Sequence, residues 1–129
     1  MRLVLNGAEL ICSGTTQFFK GTHHSDTGYF LGESAIAQAI SHATGKSIRY
    51  IGKPYPEIFN KVLSDFNITP DQAVMIGDNI TSDIRGANSL GITSILTTND
   101  LNIDINSIPD SDKPKYVVKD INELYENLF

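Results

Sequence analysis

The chain has 129 residues, with 10 Lys and Arg against 15 Asp and Glu, giving a formal net charge of −5. This acidic balance, with no Lys/Arg-rich run, argues against nucleic-acid binding, and the length suits one domain's worth of core. The single cysteine, Cys12, excludes an internal disulfide and a Cys-based zinc site. No apolar run approaches membrane length and no signal-peptide pattern is found, so we expect a cytoplasmic protein without a membrane partner.

The first fifty residues predict a short helix, a strand and a longer helix. Residues 1–6 favour the end of a helix that Gly7 closes, and residues 8–12 favour a short buried strand. Residues 33–43 carry apolar side chains at helical spacing, and we expect this helix to stop near Gly45.

Residues 13–32 are rich in Gly, Thr, Ser and His, which predicts a long loop. Tyr29-Phe30-Leu31 is the one part of it with the composition of a short strand. His23 and His24 have no partner at metal-ligand spacing and are interpreted as loop residues.

From residue 48 onward, short apolar runs alternate with amphipathic segments. This β-α-β-α-β-β-α order predicts an α/β fold with a doubly wound, mostly parallel, Rossmann-like sheet. Strands are predicted at 48–51, 73–77, 92–96 and 116–118, helices at 55–66, 80–90 and 120–128, and a polar, flexible loop at 97–114.

The apolar pattern also predicts which side chains are buried. The run Val74-Met75-Ile76 has the composition of a strand that is buried on both faces. The inward-facing helix residues are predicted to be Ile36, Ala39, Ile40 and Ala43; Ile58, Phe59, Val62, Leu63 and Phe66; Ile80, Ile84, Ala87 and Leu90; and Ile121, Leu124, Tyr125 and Leu128.

Two acidic residues follow the predicted central strand. Asp78 comes directly after Gly77, at the carboxyl end of the strand, where open α/β sheets place their ligands. Asp83 falls in the first turn of the next helix. Two carboxylates at one sheet edge repel each other unless a cation lies between them, and oxygen ligands suit Mg²⁺. Lys53, on another loop of the same kind, would add a positive charge.

The ordered set of these motifs resembles the haloacid dehalogenase (HAD) superfamily, and within it the NagD-like (subfamily IIA) phosphatases. The resemblance rests on Gly52-Lys53-Pro54-Tyr55-Pro56 and on Gly77-Asp78-Asn79-Ile80-Thr81-Ser82-Asp83-Ile84. It extends through Gly86-Ala87 and Leu90-Gly91-Ile92, and covers most of residues 46–98.

The resemblance implies a Mg²⁺-dependent phosphomonoesterase that acts on a small phosphorylated metabolite through an aspartyl-phosphate. By this resemblance Asp78 would ligate Mg²⁺, and Asp83 would be the second metal-side carboxylate or hold a metal-bound water. Lys53 would be the catalytic lysine that pairs with both the nucleophile and the phosphate. Asn79 would support the loop and contact the substrate.

The family's first motif, the Asp-x-Asp that carries the nucleophile, is missing. No Asp-x-Asp precedes Lys53, where Asp26 is the only aspartate. We therefore interpret the chain as the C-terminal portion of such an enzyme, inactive alone, with weak or absent Mg²⁺ binding, and complete only with an N-terminal half. The alternative is a truncated, non-catalytic remnant that serves as a binding or interaction module.

The resemblance also divides the chain. Residues 1–50 would be a remnant of the family's α/β cap domain, and residues 51–129 the C-terminal half of the core. A second interpretation takes Ser13 as the core's phosphate-binding Ser/Thr motif, which makes residues 1–50 the start of the core. Without the first core strand, residues 74–76 would form an exposed edge, which we expect a homodimer partner, a swapped segment or residues 1–50 to cover.

Overall fold

The computed structural model describes residues 1–23, 26–99 and 101–128. The chain divides into two compact units, residues 1–53 and residues 54–129. The assignment of the first unit to a cap domain, or to the start of a core, stays a prediction. Within the described residues, no helix combines the length and the apolar character that a membrane crossing requires.

The first unit contains a small parallel sheet with one long helix. Its elements are α1 (Arg2–Leu5), β1 (Leu10–Cys12), β2 (Phe18–His23), β3 (Asp26–Leu31), α2 (Glu33–Thr44) and β4 (Ile48–Tyr50). The strands β1 and β4 pair in parallel, and the Ser34 hydroxyl of α2 lies 3.2 Å from the Tyr50 hydroxyl of β4. Gly45 takes a φ of +67° and ends α2, as its position in the sequence predicts.

An antiparallel hairpin replaces most of the predicted loop at 13–32. Strand β2 pairs with β3 over their whole length, so the loop prediction is wrong there and correct only in its hint of a strand at Tyr29–Leu31. The Phe18 and Tyr29 rings meet edge to face at 5.8 Å, and the Phe19 and Phe30 rings stack at 5.7 Å between centroids. Because aromatic side chains stand on both faces of the hairpin, the sequence lacks the alternation that normally marks a strand.

The sequence interprets two histidines of this region, His23 and His24, as loop residues. His23 is the last residue of β2, so its interpretation as a loop residue is wrong. His24 lies outside the described residues.

The second unit is a parallel α/β sheet, which confirms the predicted fold class. Its elements are α3 (Pro56–Phe66), β5 (Val74–Gly77), a π-helical turn (Ile80–Ile84) that continues into α4 (Arg85–Ser89), β6 (Thr93–Thr97), β7 (Tyr116–Val118) and α5 (Ile121–Leu128). The strand order is β5-β6-β7, and all pairs are parallel. The prediction that residues 48–51 join this sheet is wrong, since β4 pairs with β1.

Helix ends in this unit follow the sequence signals. Pro56 opens α3, and Asn67 ends it in the left-handed region with a φ of +52°. The Asp120 carboxylate caps α5 by accepting hydrogen bonds from the amides of Asn122 at 2.8 Å and Glu123 at 3.0 Å.

The core of the second unit is built on both faces of β6. On one face Phe59, Leu63, Ala87 and Ile92 form a buried cluster, against which Met75 packs. On the other face Ile95 packs with Val118 and Leu124. A Cβ on Gly86 would lie 2.5 Å from the Phe59 ring, so the absence of a side chain lets α4 approach α3.

Several residues predicted to face inward are exposed instead. Val74 is 57% exposed and Ile76 is 41% exposed, so the prediction that β5 is buried on both faces is wrong. The physical reason is that α5 packs against Ile95 and Val118 and leaves this face of β5 uncovered. Among the described residues, β5 also has one strand partner, β6. The cover expected from a homodimer or a swapped segment stays a prediction, and the described part of residues 1–50 adds no strand to β5. The other exposed residues of this kind are Ile36, Ala39, Ala43, Ile58, Val62, Phe66, Ile121 and Tyr125, while the Leu128 side chain lies outside what is described.

An ion pair between a half-exposed arginine and a buried aspartate holds the segment for which the sequence predicts a flexible loop. The Arg85 Nε donates to both carboxylate oxygens of Asp112 at 3.1 and 3.0 Å, and Nη2 donates at 2.5 Å. The Asn88 side-chain amide donates to the carbonyl oxygens of Ser111 and Lys113 at 3.0 and 2.8 Å. The segment before β7 also contains short 3₁₀ turns at Ile105–Ser107 and Asp110–Asp112. These contacts attach it to α4.

The ion pair makes the stability of this unit sensitive to acid. Hydrogen bonds from Arg85, and a smaller one from Ser111, hold the pKa of the Asp112 carboxyl below its usual value, although desolvation acts in the opposite direction. Since the folded pKa is lower than the unfolded one, the stabilisation is complete above the unfolded pKa of about 3.9 and is lost as the pH falls through the folded pKa.

We predict that Asp112→Asn lowers the free energy of unfolding by about 1.5 kcal/mol at pH 7, because it removes the charge from a buried carboxylate that is hydrogen-bonded to a half-exposed arginine. The deficit relative to the native chain should shrink below about pH 4, where Asp112 of the unfolded chain becomes protonated, and should disappear once the pH is below the folded pKa. Urea denaturation at pH 7 and pH 3 measures both effects.

The matched control is Asp110→Asn, two residues away, because the Asp110 carboxylate is almost fully exposed and pairs with Lys113 on the surface. It should leave the urea midpoint at pH 7 almost unchanged. Equal losses in the two variants would contradict the assignment of Asp112 as the residue that holds this segment.

Candidate functional site

Asp78 lies where the sequence places it, directly after the carboxyl end of β5. It is exposed, whereas the strand residue before it, Gly77, is partly buried. Because β5, β6 and β7 run in parallel, their carboxyl ends share one edge of the sheet. A solvent-facing carboxylate at this edge is free of the desolvation that burial imposes.

Asp83 is the buried member of the predicted pair, with only 4% of its surface exposed. It stands in the π-helical turn, and its carboxylate accepts hydrogen bonds from the Asn79 amide at 3.3 Å and from the Ser82 hydroxyl at 3.4 Å. Burying a carboxylate without such partners would be strongly unfavourable. The turn between β5 and α4 therefore supplies the groups that keep Asp83 in place.

Gly77 makes this position of Asp83 possible. A Cβ at Gly77 would lie 2.6 Å from the Asp83 Cβ and 2.7 Å from its Cγ, closer than real Cβ atoms approach. The missing side chain at Gly77 leaves the space that the Asp83 side chain occupies.

Asn79 is a cap for this turn. Its side-chain oxygen accepts hydrogen bonds from the amides of Thr81 at 3.0 Å and Ser82 at 3.1 Å, and from the Thr81 hydroxyl at 3.0 Å. Its backbone carbonyl accepts from the Asp83 amide at 2.9 Å. Asn79 thus positions Asp83 from both its side chain and its backbone, and the substrate contact implied by the resemblance stays a prediction.

Lys53 belongs to the first unit, whose last residue it is, and its side chain is exposed. It follows Gly52, which is buried and packs against the backbone carbonyl of Ser13. Asp78, Asn79 and Asp83 belong to the second unit. The expected proximity of the lysine to the two carboxylates therefore stays a prediction.

The carboxylates of the second unit suit a hard cation, but they are an incomplete set. Mg²⁺ prefers six oxygen ligands in octahedral geometry and commonly takes one or two from carboxylates and several from water. Within residues 1–23, 26–99 and 101–128, no cluster of three or more His, Cys, Asp or Glu side chains could hold a metal. The oxygen chemistry of Asp78 and Asp83 suits Mg²⁺. Their role as two of its ligands, with the others from water or from another polypeptide, stays a prediction.

Comparison with known proteins identifies the family. The HAD-hydrolase-like family matches residues 50–124, which is more than half of the chain. The chain belongs to the HAD-like hydrolase family. Within that family it is of the NagD type: it superposes on NagD from E. coli K-12 with a TM-score of 0.75 at 25% identity, over 95% of this chain and 46% of that one.

Two curated relatives show how much of such a protein the chain represents. Haloacid dehalogenase-like hydrolase domain-containing protein 2 of Mus musculus is 35% identical over 95 residues, 74% of this chain and 35% of its own length. Dihydroxyacetone phosphatase of Corynebacterium glutamicum is 27% identical over 124 residues, 96% of this chain and 44% of its own length. The chain thus spans less than half of the relatives that it matches.

Sequence reasoning found the carboxylates but missed what holds Asp83. The hydroxyl of Ser82 and the capping oxygen of Asn79 act within a stretch of five residues, so a capping signal was available: Asn at the start of a helical turn is a favoured N-cap. The contact of Gly77 with Asp83 depends on how the turn folds back on the strand, and a linear pattern does not carry that information.

We predict that Gly77→Ala displaces Asp83 and destabilises the second unit by about 1–3 kcal/mol, the range for overpacking a buried site. The reason is the collision of the new methyl group with the Asp83 side chain. Urea denaturation measures the loss, and amide chemical shifts of residues 77–84 report the displacement.

Gly28→Ala is the matched control, because it also lies in a strand and a Cβ there meets no described atom within 4 Å. It should leave the unfolding midpoint unchanged or raise it slightly, since alanine restricts the unfolded chain more than glycine. A Gly77→Ala variant that is as stable as this control would show that the end of β5 can accommodate a methyl group beside Asp83.

We predict that Asn79→Ala lowers the free energy of unfolding by about 1 kcal/mol, the usual effect of deleting an N-cap. Asn79→Asp keeps the capping oxygen and should stay within a few tenths of a kcal/mol of the native chain. Thermal and urea unfolding of the three proteins provide the comparison. If both variants unfold like the native chain, the capping role of Asn79 is refuted.

Proposed function

We propose that this chain is the metal-side portion of a Mg²⁺-dependent phosphomonoesterase that acts on a small phosphorylated metabolite. The observation that carries the proposal is that an exposed Asp78 and a buried, hydrogen-bonded Asp83 both lie in the segment that follows the carboxyl end of β5. The name of the Corynebacterium relative, a dihydroxyacetone phosphatase, supports the substrate class.

Each residue has a role in this proposal. Asp78 presents a solvated carboxylate to Mg²⁺, and Asp83 supplies a second one whose orientation the turn fixes through Asn79 and Ser82. Mg²⁺, when bound, would neutralise part of the negative charge of the phosphate. The Lys53 ammonium would neutralise another part and pair with the nucleophile.

The nucleophile has to come from another polypeptide segment. Asp26, the one aspartate before Lys53, begins an exposed hairpin strand and does not follow the carboxyl end of a parallel strand. The coverage of the relatives, at 35–44% of their own lengths, supports a missing half that would carry it. We therefore expect the chain alone to be inactive.

One observation favours the second function, a non-catalytic module. The hydrogen bonds of Asp83 give its carboxylate a structural role that needs no metal. A remnant would keep Asp83 for the fold and use its exposed apolar surface to bind a partner. The two functions differ in whether Asp78 matters to catalysis.

The test is hydrolysis of p-nitrophenyl phosphate with millimolar Mg²⁺. The native chain and its Asp78→Ala variant should both lack turnover above background when assayed alone. The reason is that both the nucleophile and the general acid are missing, and general acid catalysis contributes roughly 10²–10⁴-fold. Titration calorimetry should show Mg²⁺ affinity weaker than micromolar in the isolated chain.

The complementary half used as a probe is the part of the Corynebacterium dihydroxyacetone phosphatase outside the segment that this chain matches. Adding it to the native chain should create turnover, and the Asp78→Ala variant should abolish that turnover. The control is Asp71→Ala, at an exposed aspartate remote from the β5 carboxyl end, which should retain the turnover. Turnover by the chain alone that Asp78→Ala removes would contradict the half-enzyme, and absence of turnover in the mixture would favour the non-catalytic module.

A further inference from the structure

A polar cavity lies at the end of the sheet where β6 and β7 begin. It has a volume of about 380 Å³, and its walls come from Asn88 of α4, from residues 91–94 and from the segment between residues 110 and 115. Asp78 follows the carboxyl end of β5, and the three strands are parallel, so the cavity lies at the opposite edge of the sheet. The cavity is therefore separate from the candidate metal site.

Hydrogen bonds hold the walls of this cavity together. The Asn88 side-chain amide donates to the carbonyl oxygens of Ser111 and Lys113. Its side-chain oxygen accepts from the Ser94 hydroxyl at 2.7 Å. The Lys115 amide donates to the Ser94 carbonyl at 3.1 Å and to the Ser94 hydroxyl at 3.3 Å. Because these bonds join α4, β6 and the segment before β7, the fold itself fixes the shape of the cavity.

Two lysines give the cavity a positive charge in a chain whose net charge is −5. The titratable residues of its lining are Asp110, Lys113 and Lys115, so two cations oppose one carboxylate. The Asp110 carboxylate pairs with the Lys113 ammonium at 2.6 Å, but the Asp110 side chain is 94% exposed. The Lys115 ammonium lies 5.7 Å from the centre of the Tyr116 ring, and no carboxylate in the described part of the chain forms an ion pair with it. One cation is therefore available to an anion, and the other is held only by a solvent-exposed partner.

We propose that this cavity binds a phosphate group, either as inorganic phosphate or as part of a small phosphate ester. A lysine ammonium is a compact charge with three hydrogen-bond donors, and it commonly binds phosphate. Both ammonium groups would contact the phosphate, which would displace the Asp110 carboxylate from Lys113. The volume lies within the range of roughly 300–1,000 Å³ that is typical of small-molecule sites, so a small organic group also fits. This site is independent of the proposed function, because no residue of the candidate metal site lines it.

Titration followed by NMR tests the proposal without an activity assay. In metal-free buffer of low ionic strength, the chain is titrated with inorganic phosphate in one arm and with glycerol 3-phosphate in the other. Sodium chloride at matched ionic strength is the reference. Amide signals of residues 91–94, 110–113 and 115 should shift and saturate, while those of residues 77–84 should stay unchanged because their carboxylates repel phosphate. Tighter binding of the ester would identify a phosphorylated metabolite as the ligand, and equal affinity would identify free phosphate.

Three variants measure the contribution of each charge. Lys113→Met and Lys115→Met should each weaken phosphate binding about fivefold, because each removes one ammonium contact from a solvated site. Asp110→Asn should strengthen binding about threefold, because the carboxylate no longer competes for Lys113. The matched control is Lys61→Met on α3, which removes another lysine that pairs with an aspartate on the surface and should leave the affinity unchanged.

Saturable shifts confined to the cavity, together with these changes in affinity, support the site. Shifts that rise in proportion to the phosphate concentration, or that sodium chloride reproduces, would show general charge screening and overturn it. Shifts centred instead on Lys53 or on residues 77–84 would place phosphate at the candidate active site and also overturn it. If a lysine variant unfolds, Asp110→Asn decides the outcome, since unchanged or weaker phosphate binding in that variant contradicts the proposal.

Discussion

The contact of the buried Asp83 carboxylate with Gly77 is the constraint on which the site depends. It fixes the path of the chain between β5 and α4, because the side chain can be accommodated only where the strand ends without a Cβ. The same buried carboxylate also needs hydrogen-bond donors, and the Asn79 amide donates to it at 3.3 Å. The Asn79 side chain caps the tight turn that brings this amide into place. Local backbone geometry and electrostatics therefore specify the same turn.

The central position of β6 explains how that turn reaches the functional edge. Leu96 and Ser94 of β6 are fully buried, and apolar clusters cover both faces of the strand. Parallel pairing then brings the carboxyl ends of β5 and β6 to one edge, with Asp78 in solvent. Because α5 covers β6 and β7 but leaves the Val74 and Ile76 face open, apolar surface is exposed on the strand that carries Asp78 at its end.

The strand-turn-helix that carries Asp78 could be predicted because every local signal agrees: an apolar run, a glycine, a capping residue and a helical pattern. The hairpin of β2 and β3 could not, since aromatic residues on both faces remove its alternation. Burial was overpredicted at Ile76, since periodicity identifies an apolar face but not whether another element covers it. The ion pair of Arg85 with Asp112 joins residues that are 27 positions apart in the sequence, and no local pattern predicts such a contact.

The environments of the two aspartates separate structural from catalytic reasons for their presence. Asp83 is held by hydrogen bonds within its own turn, so a folded, non-catalytic remnant would still benefit from it. Asp78 is exposed at the end of an edge strand, where most polar residues would serve the fold equally well. A change in stability on replacing Asp83 therefore says little about function. A change in activity or metal binding on replacing Asp78 is a better indicator of function, because replacing this exposed residue has little effect on stability.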